Sequence, residues 1–217
     1  MIITVFGDIH GNLIALEQLF KIEKSKTDLF VCHGDVVNYG PWSKECVHYL
    51  NDIKNIKLLK GNHEEYFISG NYPGENVIAK SFFNFCFPKF DKNLISILKS
   101  YDKIISIDDY KILHTIGNQY IFKDTDLSDI LVENNYIIGH SHQQYFRQKD
   151  NYKIYNTGSL GQNRKFINQS CYLQIDTETN IVELKSFIHD ITKVVNEMKI
   201  RNYPQICVDY YLSKENL

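Results

Sequence analysis

The sequence predicts an α/β fold, because short apolar runs typical of strands alternate with segments of helical spacing. Ile2–Phe6 is rich in β-branched and aromatic residues, and the apolar residues between positions 13 and 22 recur at helical intervals. The same order begins again at Leu29–Cys32 and at residues 56–59, with helices expected at 43–50 and 61–68. Chains of this kind form sheets with parallel strands, and their functional sites lie at the carboxyl ends of those strands.

The second half of the chain is predicted to be richer in strands. Residues 103–107 and 110–113 flank Asp108 and Asp109, an arrangement typical of a tight hairpin. A short helix is expected at 126–133 and another helix at Ile191–Ile200. Further strands are expected at 136–138, 152–155, 171–175 and 182–187. The placement of the tail, residues 201–217, does not follow from its sequence.

Residues 69–100 form a predicted helical insert, in which Asn, Gly, Pro and Phe are frequent. The five phenylalanines between positions 82 and 90 either pack this insert onto the core or border the entrance to the site. Packing is the more common role of such clusters, and we expect it here.

Composition favours one ordinary globular domain, residues 1–217, in the cytoplasm. With 217 residues, 43% of them hydrophobic, the chain can bury one substantial core. The net charge of −2 gives no indication of a broad nucleic-acid-binding surface, and no apolar run has the length of a membrane span. The five scattered cysteines include no CxxC pair and are expected to be reduced packing residues. The sequence leaves the oligomeric state open.

Several predicted strands end at residue types that bind metals. The first strand stops before Asp8 and His10, which an extended chain would place on one face, and Gly11 lets the chain turn away. One Asp near one His is weak evidence, but similar residues recur after later apolar segments. These are Asp35, Asn62, His63, His114, His140 and His142.

Asp8 and His10, together with all of these later residues except His63, form a candidate ligand set that contains no sulfur. Two carboxylates, four imidazoles and one carboxamide suit Mn²⁺, Zn²⁺ or Fe²⁺ better than Mg²⁺ or Ca²⁺, which prefer oxygen throughout. Seven ligands exceed the needs of one catalytic ion and suffice for two ions that share a carboxylate. Metal pairs about 3.5–4 Å apart are a standard means of cleaving phosphate esters.

In the order of these motifs the chain resembles the calcineurin-like metallophosphoesterase superfamily, in particular its small single-domain bacterial and archaeal phosphodiesterases. The motifs Asp-x-His, Gly-Asp, Gly-Asn-His-Glu, a lone His and Gly-His-x-His occur in the family's order between residues 8 and 142. The resemblance implies a four-layer αββα sandwich of two mixed β-sheets flanked by helices. It also implies two divalent metal ions, with Mn²⁺ preferred and Zn²⁺, Fe²⁺ or Ni²⁺ as alternatives.

The resemblance further implies a role for each motif residue. A metal-bound hydroxide would attack the phosphorus directly, and His63 would protonate the leaving oxygen, a task suited to an imidazole. Capping a helix is the alternative role for His63. The metal ligands would be Asp8, His10 and His142 for one ion, and Asn62, His114 and His140 for the other, with Asp35 bridging.

Two departures from the family pattern bear on function. His114 is followed by Thr-Ile-Gly in place of Gly or Cys-Gly, and a turn is expected at residues 117–118. Protein phosphatases of the superfamily carry Gly-Asp-x-Val-Asp-Arg-Gly where this chain has Gly-Asp-Val-Val-Asn-Tyr-Gly at 34–40. Asn38 thus replaces an Asp that pairs with the catalytic His, and Tyr39 replaces an Arg that grips a terminal phosphate. The sequence therefore favours a phosphodiesterase acting on a small or nucleotide-type phosphodiester.

Two alternative functions are a phosphomonoesterase, including a protein or nucleotide phosphatase, and a non-catalytic scaffold. The intact ligand set argues against the scaffold. Asn12 and Asn38 are candidates either for substrate binding or for orienting neighbouring side chains. Arg164 is a candidate for binding a substrate phosphate or for holding its own loop. The histidines outside the motifs, among them His33 and His189, are expected to be surface or packing residues.

Overall fold

A computed structural model describes residues 1–117 and 119–217, which form two five-stranded mixed sheets flanked by helices. The strands are β1 (Ile2–Phe6), β2 (Leu29–Cys32), β3 (Ile56–Leu58), β4 (Ile104–Ile107), β5 (Tyr110–Leu113), β6 (Asn135–Ile138), β7 (Gln144–Lys149), β8 (Tyr152–Thr157), β9 (Gln169–Asp176) and β10 (Ile181–Ile188). The helices are α1 (Leu13–Glu23), α2 (Ser43–Asn51), α3 (Asn62–Ser69), α4 (Val77–Cys86), α5 (Ile95–Ser100), α6 (Ile191–Ile200) and α7 (Gln205–Leu212). The predicted fold class is confirmed.

The first sheet has the strand order β10-β9-β1-β2-β3. Its strands β1, β2 and β3 are parallel, and Val5 lies opposite Val31 of β2 and Leu173 of the antiparallel strand β9. All three side chains are fully buried. Uninterrupted apolar runs are typical of such central strands, since both of their faces are covered.

The second sheet has the order β4-β5-β6-β8-β7, in which β5, β6 and β8 are parallel. The two sheets pack face to face, with Ile3 and Val31 of the first against Ile112 and Ile137 of the second in one buried cluster. The carboxyl ends of β1, β2, β3, β5 and β6 are the positions from which the predicted site residues follow. This packing therefore brings loops from both sheets together.

The predicted helix at 126–133 is wrong, because this part of the chain is irregular. Leu127, Ile130 and Val132 are spaced as on a helix and are buried against the second sheet. However, the Lys149 ammonium donates to the carbonyl oxygens of Leu127 and Ile130, which a helix would use internally. Strand β7, which carries Lys149, was not predicted, because it is a polar edge strand.

The insert contains the expected pair of helices, α4 and α5, and its aromatic residues pack as predicted. Phe83 and Phe87 stack at 5.0 Å between ring centroids, and both contact Phe67 of α3 edge-on. The tail forms α7, which the sequence did not predict, and Tyr211 of α7 packs on Phe82 of α4.

The turn predicted at residues 117–118 falls partly outside the described residues. Gly117 has a φ of 66°, in the left-handed region that glycine adopts without strain. In the described parts of the chain, every helix is too short or too polar to cross a membrane.

Candidate metal centre

Loops after five parallel strands bring all seven predicted ligands into one buried region. Three groups of Asp and His side chains each have their ligand atoms within 4.8 Å of one another. The groups are Asp8, His10 and His142; His10, Asp35 and His63; and Asp35, His114 and His140. Because they share His10 and Asp35, the three groups form one continuous cluster of donors.

In the first group, nitrogen and oxygen lone pairs face one another. The Nε2 atoms of His10 and His142 are 3.1 Å apart, and Asp8 Oδ1 is 3.3 Å from His142 Nε2. The Nδ1–H groups point away, since His10 donates to the Val37 carbonyl at 3.3 Å and His142 to the Gln162 carbonyl at 2.6 Å. These bonds leave both Nε2 atoms as acceptors, the form in which histidine binds a metal.

The third group is centred on His114. Its Nε2 lies 3.0 Å from Asn62 Oδ1, 3.0 Å from His140 Nδ1 and 3.2 Å from Asp35 Oδ2. Its Nδ1 donates to the carbonyl of His33 at 3.2 Å, so Nε2 is the nitrogen that would bind a metal. Burial acts to lower the pKa of His114, but Asp35 raises it to about 9, so a bound metal would displace the Nε2 proton. His114, which departs from the family pattern in the residues that follow it, thus lies at the centre of the third group.

Asp35 lies between the first group, which contains His10, and the third group, which contains His114. Its Oδ2 is 3.2 Å from His114 Nε2 and 3.8 Å from His10 Nε2, while its Oδ1 accepts the backbone N–H of His63 at 2.9 Å. The Asp8 carboxylate is arranged similarly: Oδ2 accepts the backbone N–H of His140, and Oδ1 has no hydrogen-bond partner among the described residues. A buried carboxylate oxygen without a partner is costly unless a cation compensates it, so the donor set fits bound metal.

The backbone at the site is strained. Asp8, His10, Asp35, His140 and His142 all have φ between 48° and 66°, in the left-handed region that non-glycine residues rarely adopt. The extended-chain argument for Asp8 and His10 is therefore wrong, because β1 ends at Phe6 and left-handed turns bring the two side chains together. Such strain is typical of functional sites, where the surrounding structure holds it.

His63 lies in the first turn of helix α3, beside the ligands. Asn38 Nδ2 donates to His63 Nδ1 at 3.0 Å, and His63 Nε2 is 4.0 Å from Asp35 Oδ2. With Nδ1 as an acceptor, the neutral ring carries its proton on Nε2. Asn38 is therefore placed to orient His63. Of the two roles that the sequence suggested for Asn38, this contact favours the orienting one over substrate binding.

Glu64 has a structural role that the sequence did not indicate. Its buried carboxylate accepts four backbone N–H groups: those of Asp35, Val36, Val37 and Gly61, at 2.7, 2.8, 3.2 and 2.8 Å. These bonds tie the loop after β2 to the start of α3. They hold Asp35 and Asn62, one on each segment, in a fixed relation.

His33 is a packing residue, as expected, and it lies directly beneath the site. A Cβ at Gly7 or at Gly139 would come within 2.3 or 2.1 Å of its ring. Both positions therefore require glycine for steric reasons. The His33 ring is also held by a hydrogen bond between its Nε2 and Thr157 Oγ1, at 2.7 Å.

Burial keeps several ligands in the protonation state that binds metal. It lowers the pKa of His140 to about 3, and nearby His114 acts in the same direction. It also lowers the pKa of His10 well below its ordinary value. For Asp8, burial acts to raise the pKa, but the surrounding imidazoles, His142 first, hold it below its ordinary value. Neutral imidazoles and ionised carboxylates are the ligand forms that divalent cations require.

Asn12 and His189 form a buried pair behind the site. The Asn12 amide caps α1 at the Ala15 N–H, and its Nδ2 donates to the Gly161 carbonyl and to His189 Nε2. Both side chains are buried. These contacts favour an orienting role for Asn12 over contact with substrate. Arg164, in contrast, is exposed and lies over the ring of Tyr120 at 5.1 Å.

Two cavities adjoin the cluster. One, of about 670 Å³, reaches His114 and His140 and is lined by Lys60 and Lys103. The other, of about 490 Å³, reaches His63 and is lined by several tyrosines and by Arg164. Asn62, Tyr66 and Tyr120 line both cavities. The insert contributes to the second cavity, so it borders the site as well as packing on the core.

A two-sheet α/β sandwich with Asp, Asn and His side chains gathered at its strand ends is the arrangement expected of a metal-dependent phosphoesterase. The sequence model of the calcineurin-like phosphoesterase family matches residues 1–156, and the chain belongs to this family. It is accordingly a hydrolase that acts on phosphate esters.

Several similar proteins cover nearly the whole of this chain. An uncharacterized protein of Methanocaldococcus jannaschii is 27% identical over an alignment of 239 positions, gaps included, which covers 94% of each protein. Among solved structures, a metallophosphoesterase of Sphaerobacter thermophilus superposes with a TM-score of 0.78 at 19% identity, covering 98% of both chains. A hypothetical protein of Pyrococcus horikoshii superposes with a TM-score of 0.79 at 13% identity, covering 97% of both chains. Both structures share the fold of this chain.

Proposed function

We propose that the protein is a dinuclear metal-dependent phosphodiesterase that hydrolyses a small or nucleotide-type phosphodiester. The observation that carries this proposal is the position of Asp35. Its Oδ2 lies 3.8 Å from His10 and 3.2 Å from His114, between the two groups of donors. A carboxylate in that position suits a bridge between two cations.

Each cation would have its own ligands besides Asp35. The oxygen and imidazole donors favour Mn²⁺, with Zn²⁺, Fe²⁺ or Ni²⁺ as alternatives. When bound, such cations neutralise phosphate charge and lower the pKa of the attacking water. The proposed ligands are Asp8, His10 and His142 for one ion and Asn62, His114 and His140 for the other.

His63 would supply the proton to the leaving oxygen. The contact with Asn38 holds the ring so that Nε2 lies on the side of Asp35. The acid is the imidazolium form of His63, which would give its Nε2 proton to the developing alkoxide and become the neutral ring; burial lowers the pKa of His63, which makes the imidazolium a stronger acid. Asn38, by fixing the ring, is a positioning residue for this step.

The two cavities support a diester substrate. A diester carries two organic groups on its phosphorus, and the cavities offer separate space for each beside the ligand cluster. Tyr39, which stands where related phosphatases have an arginine, packs edge-on against His10 and His63 at 4.8 and 5.3 Å between ring centroids. It thus places an aromatic ring where an arginine would hold a terminal phosphate.

One observation favours a phosphomonoesterase as the second candidate. Arg164 lines the cavity that reaches His63 and is exposed there. A guanidinium at this position is suited to binding the extra charge of a terminal phosphate.

We further propose that the 217 residues form one domain that functions in the cytoplasm. The insert and the tail pack on the same layers as the sheets, which supports one domain. All five cysteines are buried and free, which supports a reducing compartment.

Hydrolysis of bis(4-nitrophenyl) phosphate and 4-nitrophenyl phosphate by metal-stripped protein, with and without added Mn²⁺, tests the proposal. We expect diester cleavage that requires Mn²⁺ and that falls in His63→Ala. The effect of a general acid is about 10²–10⁴-fold for a poor leaving group and smaller for nitrophenolate. His48→Ala, at an exposed histidine on α2, is the matched control. Turnover of the monoester alone would favour the second candidate, and no metal-dependent turnover of either would indicate a binding role.

A further inference from the structure

The cavity beside His63 has an unusual lining. Five tyrosines contribute to it, and they come from separate parts of the chain: Tyr39, Tyr66, Tyr72, Tyr120 and Tyr210. We call it the aromatic cavity. With a volume of about 490 Å³ it falls in the range of sites that bind small organic ligands.

The tyrosine rings surround the cavity without filling it. Tyr66 and Tyr72 meet edge-on at 5.3 Å between ring centroids, and Tyr39 and Tyr210 are inclined by 37° at 6.4 Å. Tyr120 is 47% exposed and stacks on His140 at 4.0 Å between ring centroids. The other four side chains are half-buried and line the cavity, so they can contact a planar group that enters it.

The charges in the aromatic cavity nearly cancel. Among the described residues that line it, the ionised side chains are those of Arg164 and Glu75. A second phosphate group would meet one cation and one carboxylate there, so the balance favours an uncharged group. The Glu75 carboxylate and the side chain of Asn76 offer hydrogen bonds to the polar edge of such a group.

The position of His63 assigns this cavity to one half of the substrate. His63 lines the aromatic cavity, whereas His114 and His140 line the other cavity. The group that leaves with a proton from His63 therefore departs from the aromatic cavity. The lining suits a group that is planar, uncharged and polar at its edge, and a nucleobase has these properties.

We propose that the aromatic cavity binds the nucleobase of the leaving group, so that the substrate is a nucleotide phosphodiester. The inference rests on the proposed phosphodiesterase function and adds the chemical class of its substrate. Tyr72, from the insert, and Tyr210, from α7, are specificity-determining residues. Tyr210 lies outside residues 1–156, the part of the chain that matches the family.

Calorimetric titration of the Mn²⁺-loaded full-length protein tests this proposal. The probes are inorganic phosphate, ribose 5-phosphate and AMP, which successively add a sugar and a base to the phosphate. Stacking of one base on aromatic side chains corresponds to about 5- to 150-fold in affinity. We expect AMP to bind more tightly than ribose 5-phosphate by a factor in this range.

Substitutions locate the effect. Tyr72→Ala and Tyr210→Ala should each reduce the ratio of AMP to ribose 5-phosphate affinity, and the double variant should bring it close to one. Tyr210→Phe, which keeps the ring, should retain the ratio. Tyr152→Ala, at an exposed tyrosine of β8, is the control and should behave as the unchanged protein.

Other results would overturn the proposal in distinguishable ways. If phosphate and ribose 5-phosphate bind but AMP gains nothing, or if the alanine variants keep the full gain, the base subsite is refuted while the phosphate site stands. If phenyl phosphate binds more tightly than AMP, the cavity serves an aryl group instead. If none of the probes binds, the phosphate site of the proposed function is refuted together with this inference.

Discussion

Glu64→Gln should destabilise the protein strongly, although it changes one atom of a side chain. Two backbone N–H groups face each carboxylate oxygen of Glu64. Glutamine keeps one oxygen and replaces the other by an NH₂ group, so two buried N–H groups lose their acceptor. Each such loss costs about 1–3 kcal/mol, which gives about 2–6 kcal/mol for the substitution. The free energy of unfolding of a typical domain is about 5–15 kcal/mol in total.

Glu65→Gln, at the next position of the same helix, is the matched control. The Glu65 side chain is 47% exposed and forms ion pairs with Lys60 at 3.8 Å and Lys103 at 4.0 Å. Ion pairs of this kind contribute about 0–1 kcal/mol, so this variant should remain close to the unchanged protein.

Urea unfolding of metal-stripped protein measures both variants without a contribution from bound ions. We expect Glu64→Gln to lose at least about 2 kcal/mol more than Glu65→Gln, and to lose turnover because the loop of Asp35 is no longer fixed. Free energies of unfolding that agree within about 1 kcal/mol would refute the role given to Glu64.

Three further changes test other parts of the structure by urea unfolding. Gly139→Ala would place a Cβ 2.1 Å from the His33 ring and should cost about 1–3 kcal/mol; unchanged stability would contradict the close packing. Burial lowers the pKa of His189 from 6.5 to about 4, so the unfolded chain binds more protons and stability falls as pH drops through this window. Between pH 7 and pH 4.5 the free energy of unfolding of His189→Gln should therefore fall by about 2–3 kcal/mol less than that of the unchanged protein. An equal fall in the variant and in the unchanged protein would refute this. Phe82→Ala, in a fully buried position, should cost about 3–5 kcal/mol, against little for exposed Phe146→Ala.

The sequence predicted the central strands well, for a physical reason, and the structure brings the predicted ligands together. Ile2–Phe6 and Leu29–Cys32 are buried on both faces, so their composition alone identifies them, and their bounds agree with the structure. The polar residues that interrupt these apolar runs lie at strand ends, where the topology of a parallel sheet gathers them.

What the sequence missed depends on contacts between distant residues. The segment 126–133 has helical spacing, yet Lys149 binds its carbonyl groups from another strand. The left-handed backbone at Asp8 and His10 is held by the surrounding fold and leaves no local signal. Likewise, α7 takes its place by burying Tyr211 against α4, a partner far away in sequence.

The central claim is that two metal ions bind in one cluster and share Asp35. Reconstitution of metal-stripped protein with Mn²⁺, followed by metal analysis and electron paramagnetic resonance, tests it most directly. We predict two Mn²⁺ per chain with a spectrum of two coupled ions, and loss of the coupling in Asp35→Ala. One ion per chain, or two ions with uncoupled spectra, would contradict the claim.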